Sequence, residues 1–224
     1  MAQVDIVSLK DNADPARRLR LPIRDDSGRH VGDLQCIDRS MLADPGLIDD
    51  LTTWRNQSMP FFLSQFNATQ ERTRQWLETI TLPAADRILF VICDPGGNRF
   101  GNFGICNIRP GSAEFDNVIR GRASDIRNLM FHCGRALLEW MFSGLGVETA
   151  ELHVFSHNEK AIGLYKRLGF AAAESLPLRR AEEEDMVKYS VVDPSEANAG
   201  FDYLRMELPI ERFRQAHPSA LLTA

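Results

Sequence analysis

A surplus of basic charge is the first thing missing. The 224-residue chain carries 26 Lys and Arg against 31 Asp and Glu, a net charge of −5 with His neutral. Such a chain offers no broad cationic face to neutralise a phosphate backbone, which argues against general nucleic-acid binding. Cysteine is scarce. Cys36, Cys93, Cys106 and Cys133 lie far apart with no C-x-x-C spacing, a pattern of reduced core thiols and not of a disulfide framework. No apolar run approaches the ~20 residues needed to cross a bilayer. Met1 to Asp5 shows neither a basic n-region nor an apolar h-region, so a cytoplasmic protein without membrane partners is expected. Gly96-Gly97 and Gly101 to Gly104 are glycine-rich, yet no Gly-Lys-Ser/Thr follows and no helix opens there, so they read as turns. Internal repeats, low-complexity tracts and linkers are also missing, and residues 1–224 read as a single domain.

What is present is an alternation of strand and helix patterns. Arg18 to Ile23 and His30 to Ile37 read as a hairpin around Asp25-Asp26-Ser27-Gly28. Leu47, Leu51 and Trp54 recur at helical spacing after Asp44-Pro45-Gly46. A second amphipathic segment starts near Asn67 or Thr69 and carries Trp76, Leu77 and Ile80 up to Pro83. A meander follows: Arg87 to Cys93, Asn102 to Ile108 and Ala113 to Ile119, the first two joined through Asp94 to Asn98. Met130, Cys133, Leu137 and Met141 form a stripe that predicts a helix over 129–142. A strand is expected over 151–155, and a helix over 160–168 with Gly169 at its left-handed cap. Ala181 to Val192 is charged and weakly patterned, Phe201 to Leu208 reads as a closing strand, and the tail after Glu211 is expected to fray. This order predicts an α/β fold with a mixed sheet.

Within Ala113-Glu114-Phe115-Asp116-Asn117-Val118, strand alternation puts Glu114 and Asp116 on one face and Phe115 on the other. Two carboxylates so placed suit proton transfer, and they equally suit a solvated strand face. Ser156-His157-Asn158-Glu159 is a capping box in which Ser156 is expected to cap the helix. Ala161, Leu164 and Leu168 make a helix face that would bury Tyr165. His153 and His157 have zinc-helix spacing, but on a strand they stand about 13 Å apart, so no metal site is read.

Val154, Asn158, Ala161, Tyr165, Gly169 and Phe170, preceded by Ala136-Leu137-Leu138-Glu139-Trp140-Met141-Phe142, resemble the second half of the acetyl-CoA-binding core of the GNAT N-acetyltransferases. Trp54-Arg55-Asn56 resembles the branch containing ribosomal-protein and amino-sugar acetyltransferases, and the closing segment Tyr203 to Leu208 is similar to members acting on surface-polysaccharide sugars. The resemblance implies a mixed, mostly antiparallel twisted sheet, splayed at the acetyl-CoA site and flanked by helices. It implies acetyl-CoA as cosubstrate, with contacts from Val118, Ile119, Arg127, Asn128, Leu129, Met130, Phe131, His132, Asn158 and Tyr165. It further implies Tyr165 as the acid that protonates the departing thiolate, and Glu114 ahead of Asp116 as the base. Trp54, Arg55 and Asn56 are implied in substrate binding. The family's loop motif, Arg/Gln-x-x-Gly-x-Gly/Ala, falls here on Asp125, Asn128 and Met130. Since main-chain N–H groups hold the diphosphate, Asn128 can replace a glycine by adopting a positive φ.

The implied reaction is acetyl transfer to a primary amine of a small molecule, first of all a nucleotide-linked amino sugar. Its pocket wall would come from the hairpin over 18–37 and the helix carrying Trp54. Phe61, Phe62 and Phe66 would offer stacking faces, and Arg55, Arg72 or Arg74 would meet a diphosphate. Acetylation of a protein N-terminus and a catalytically silent acyl-CoA-binding protein are the open alternatives, and a homodimer is compatible with either.

Overall fold

Ile-Leu-Phe-Val-Ile-Cys is apolar at every position, so the strand it forms must be covered on both faces. The computed structural model, which describes residues 4–12 and 14–218, shows this for Ile88–Cys93. In chain order the elements are α1 Ile6–Lys10, β1 Arg20–Arg24, β2 His30–Cys36, α2 Pro45–Gln57, β3 Ser64–Phe66, α3 Gln70–Trp76, β4 Ile88–Cys93, β5 Arg99–Arg109 and β6 Ser112–Arg120. There follow α4 Leu129–Ser143, β7 Thr149–Phe155, α5 Glu159–Leu168, β8 Ala171–Leu176, β9 Leu178–Glu183, β10 Met186–Val191, β11 Tyr203–Pro209 and α6 Ile210–Ala216.

Eight strands form one sheet in the order β1-β2-β4-β5-β6-β7-β11-β8. Every neighbouring pair is antiparallel except β6 and β7, which α4 joins as a parallel crossover. β4 divides its side chains between two cores. Ile88, Phe90 and Ile92 meet Cys133, Leu137 and Met141 of α4, while Leu89, Val91 and Cys93 meet Leu47, Leu51 and Trp54 of α2. Trp54 is 1% exposed, and a Cβ built on Gly121 would lie 2.2 Å from its ring. The glycine therefore lets the chain leaving β6 run directly over the indole.

The parallel pairing of β6 with β7 stops at Phe115 and Leu152. Just beyond, β6 holds one residue more than β5: Asn102 pairs Ile119 and Gly104 pairs Asp116. Asn117 takes φ 48° in this bulge, and Asn102 Nδ2 donates to its carbonyl at 2.5 Å. A bulge adds local twist, and here β6 and β7 part to leave the splay.

Several expectations need correction. Residues 181–192, to which the pattern assigns no element, belong to strands: β9 and β10 form a hairpin, and β3 pairs with β10 to complete a three-stranded second sheet. β9 is exposed at five of its six positions, which is why no apolar alternation marks it. β8 has a run of alanines in place of β-branched residues and lies at the sheet edge. After Glu211 the chain continues as helix to Ala216, and the part of the expected frayed tail over 219–224 lies outside the described residues. α6 is anchored by fully buried Phe213, whose ring stands 5.2 Å from that of Phe142. Ser156 does not cap α5: Asn158 Oδ1 accepts from the Ala161 N–H at 3.3 Å, while Ser156 Oγ accepts from the Asp202 N–H at 3.1 Å. After α3 a π turn over Leu77–Thr81 rotates the register, burying Leu77 and leaving Ile80 50% exposed. All four cysteines are buried free thiols.

Candidate active site

A cleft of about 1110 Å³ opens where β6 and β7 part. One end lies against the loop that enters α4. Asn128 adopts φ 59°, ψ 26°, the left-handed conformation expected of a residue standing in for glycine. Leu129, Phe131 and His132 donate their N–H groups to Ile126 or Asn128 carbonyls. Among the described residues, the N–H groups of Arg127, Asn128 and Met130 have no acceptor. Unpaired N–H groups at the start of a 15-residue helix make an anion site, because donors and helix dipole point the same way. Lys160 and Arg167 of α5 line the same cleft, as do Val118, Ile119, Arg127, Leu129, Met130 and Phe131. These groups fit the diphosphate of a CoA molecule.

His132 does not take part. It turns with the core stripe of α4, is 2% exposed, and does not line the cleft. Its Nδ1 has no hydrogen-bond partner among the described residues, and burial holds the imidazole below its usual range. Asn158 lines the cleft, but its oxygen is engaged as the α5 cap, leaving only Nδ2 for a ligand.

Tyr165 is both packed and at the cleft. Its ring is 6% exposed and meets Phe170 edge-on at 6.1 Å, yet the residue lines the cleft. Burial, with a smaller contribution from Asp116, pushes the phenol up from its ordinary value. The hydroxyl thus stays protonated and able to donate.

At the other end Glu114, Asp116, His153 and Tyr203 converge with Arg55, Phe61, Phe62, Phe66 and Arg72. Glu114 Oε1 lies 2.7 Å from His153 Nδ1, and its Oε2 accepts from Asn107 Nδ2 at 2.8 Å. Burial alone would raise this carboxyl, but His153 and Asn107 together hold it below the usual range. Asp116 behaves oppositely. Burial raises it despite the Arg87 guanidinium at 2.7 Å and the Asn117 amide at 2.8 Å. The two carboxylates share a face as alternation requires, but only the folded register reveals their different surroundings.

Trp54-Arg55-Asn56 does not act as one substrate-binding unit, because successive helix residues point about 100° apart. Trp54 is core. Asn56 clamps the chain before α3, donating to the Ala68 carbonyl at 2.9 Å and accepting its N–H at 2.8 Å. Only Arg55 reaches the cleft. Its guanidinium sits 3.3 Å from the Phe62 ring centroid and donates to the Ser64 carbonyl at 3.1 Å. Burial pushes it down to about 10 against the pull of Asp116. No carboxylate among the described residues lies within ion-pair distance of it. Arg72 pairs with Asp185 at 2.6 Å, whereas Arg74 binds the Leu42 carbonyl and does not line the cleft. No residue of 18–37 lines the cleft either, so the expected hairpin wall is replaced by β3 and the segment before it. His153 and Tyr203 escape a sequence reading because their partners are set by strand register. Tyr203 stands two rungs from His153 across β7 and β11.

The family described as "Acetyltransferase (GNAT) domain" matches residues 41–171. No curated protein matches the sequence. Among solved structures, spermidine N-acetyltransferase from Vibrio cholerae in complex with CoA and spermine superposes with a TM-score of 0.60 and 20% identity, covering 80% of this chain and 96% of that one. RimL, a ribosomal L7/L12 α-N-protein acetyltransferase, gives a TM-score of 0.63 at 12% identity, covering 86% of this chain and 94% of that one. These likenesses concern the fold.

Proposed function

The chain belongs to the GNAT acetyltransferase family, and from that premise we propose which groups carry its acetyl-CoA-dependent N-acetyl transfer and which amine it accepts. The unpaired N–H groups at Arg127, Asn128 and Met130 hold the CoA diphosphate. The thioester then lies along the splay, with Tyr165 beside its sulfur. Tyr165 donates its proton as the thiolate leaves. The free, protonated hydroxyl argues for an active enzyme and against a silent acyl-CoA-binding protein.

The acceptor is a primary amine whose ammonium form is drawn in by the Glu114 and Asp116 face and whose other end carries an acidic group. Arg55 is the observation behind this reading: a half-buried cation with no carboxylate within ion-pair distance among the described residues. Holding such a charge partly away from water costs free energy that a counter-charge offsets, and an anionic substrate supplies one. Phosphate- or nucleotide-bearing amino sugars meet the requirement, and Phe61 and Phe66 offer them apolar faces. Polyamines, cationic along their length, do not. Thiol release with UDP-linked amino sugars, glucosamine 6-phosphate, spermidine and a peptide with a free N-terminus distinguishes these classes. The anionic amines should be preferred in the native enzyme and lose their advantage in Arg55→Met. Preference for spermidine, or for the peptide, with Arg55→Met unaffected overturns the reading.

A further inference from the structure

His153 is the first residue of β7 past the last rung it shares with β6, so it stands where the splay begins. Its imidazole lines the cleft and stacks on Tyr203 of β11, with centroids 5.0 Å and planes 24° apart. Glu114 pairs in register with Glu151, and two residues further along β7 the side chain returns to the same face. That puts His153 Nδ1 2.7 Å from Glu114 Oε1. Glu151 is itself tied to Arg109 at 2.8 Å, so Glu114 is the carboxylate that serves the imidazole. An ionised carboxylate only accepts hydrogen bonds. Nδ1 must therefore carry the proton, and Nε2 of the neutral ring keeps a lone pair. Among the described residues, Nε2 has no hydrogen-bond partner.

We propose that His153 is the general base of the acetyl transfer, with Glu114 a positioning residue that fixes its tautomer; this rests on the N-acetyltransferase reading above. The bound ammonium first loses one proton to solvent, and the neutral amine then adds to the thioester carbonyl, forming the N–C bond. The proton shed by the amine nitrogen passes to His153 Nε2. The C–S bond breaks, and the sulfur takes its proton from Tyr165, which recovers one by way of solvent as His153 releases its own. An amine and the acetyl thioester thus give an amide and a thiol. Asp116 is less suited to the task. Protonating it would strip Arg87, at 2.7 Å, of its counter-charge. Glu114 is occupied on both oxygens, by His153 and Asn107, and is held in its anionic form.

Two measurements on the full chain test the assignment. The first is the ¹⁵N spectrum of the His153 ring at a pH where it is neutral, which needs no acceptor. Wild type should show the Nδ1–H tautomer, and Glu114→Ala should release the ring to a mixture. An Nε2–H ring in wild type overturns the proposal. The second is turnover with acetyl-CoA and the four acceptors named above. His153→Gln should lower kcat by about a hundredfold or more, with KM for acetyl-CoA moving less than about threefold. Added imidazole should restore part of the activity of His153→Gly and none to Glu114→Gln. Turnover of His153→Gln within about threefold of wild type, with Asp116→Asn inactive, overturns the assignment and leaves the acetyltransferase reading intact. A wild-type enzyme that releases no thiol with any of the four acceptors overturns the acceptor reading, and the tautomer then decides on the dyad.

Discussion

The two ends of the cleft are built by different means. The end at α4 works with main chain: N–H groups of Arg127, Asn128 and Met130 aimed along a helix start. The far end works with side chains: Glu114 on His153, Asp116 on Arg87, and Arg55 stacked on Phe62. Main-chain recognition depends on backbone geometry, so the residues that supply it can drift as long as the dihedral angles survive. Side-chain recognition has no such slack, and one truncation should remove a function outright. This explains how a loop that departs from its family's glycine pattern at Asp125, Asn128 and Met130 can still form an anion site.

The largest effect is expected at the centre, where the two ends meet. Tyr165→Phe keeps the packing against Phe170. With the hydroxyl, oxygen and proton together, gone, kcat should fall by about a hundredfold or more while KM for acetyl-CoA hardly moves. Steady-state kinetics would restore Tyr165 to a packing role if the variant stayed within about threefold of wild type.

Next is Arg55→Met. Loss of a charged hydrogen-bond donor to an acidic acceptor costs about 1.5–3 kcal/mol, or roughly 10- to 150-fold in acceptor KM. The same change relieves a half-buried charge, so the melting temperature should hold or rise. A fall in melting temperature with unchanged KM would assign Arg55 to the fold and not to the substrate.

Asn128 probes the main-chain end. Asn128→Gly keeps φ 59° accessible and should leave CoA affinity within about twofold. Asn128→Val places a β-branched residue in the left-handed region at about 1–3 kcal/mol. Wild type at a hundred times its CoA dissociation constant should gain roughly 2.7 kcal/mol of stability. Thermal shift should show that gain kept in the glycine variant and reduced in the valine variant. Equal loss in both would mean that the Asn128 side chain, and not its backbone, holds the ligand.

The parts that could be read from sequence are those set by neighbours along the chain. The stripe of Cys133, Leu137 and Met141 repeats at helical spacing, and the residue type at 128 advertises a positive φ. The Glu114–His153 pair spans 39 residues and exists only because β6 and β7 run parallel in one register. Trp54-Arg55-Asn56 reads as a unit on paper, but the helix sends its members to the core, the cleft and a loop. β9 and β10 hide because charges occupy both faces of a hairpin whose partner, β3, lies more than a hundred residues earlier. Phe213 is the one fully buried residue of α6, with Ile210 partly buried beside the core, in a charged stretch, too sparse a pattern to show a helix.

The smallest effect concerns acid, and it separates the start of α4 as scaffold from the start of α4 as ligand site. His132 lies in the first turn, 2% exposed, with Nδ1 unpaired among the described residues. Burial keeps its imidazole below the ordinary histidine value, about 6.5, against a smaller opposing pull from Asp26. The folded ring therefore takes up a proton less readily than the unfolded one. Stability is complete above about pH 6.5 and declines as the pH falls through that value, because the unfolded chain binds the proton first. Denaturant melts between pH 7.5 and 5.5 should show this decline, and His132→Gln should flatten it without altering CoA affinity at pH 7.5. If the glutamine variant kept the full acid sensitivity, the titrating group would have to be sought elsewhere. His217 is the next candidate: burial holds it low too, and its ring packs 5.8 Å from Phe131 at the same end of the helix.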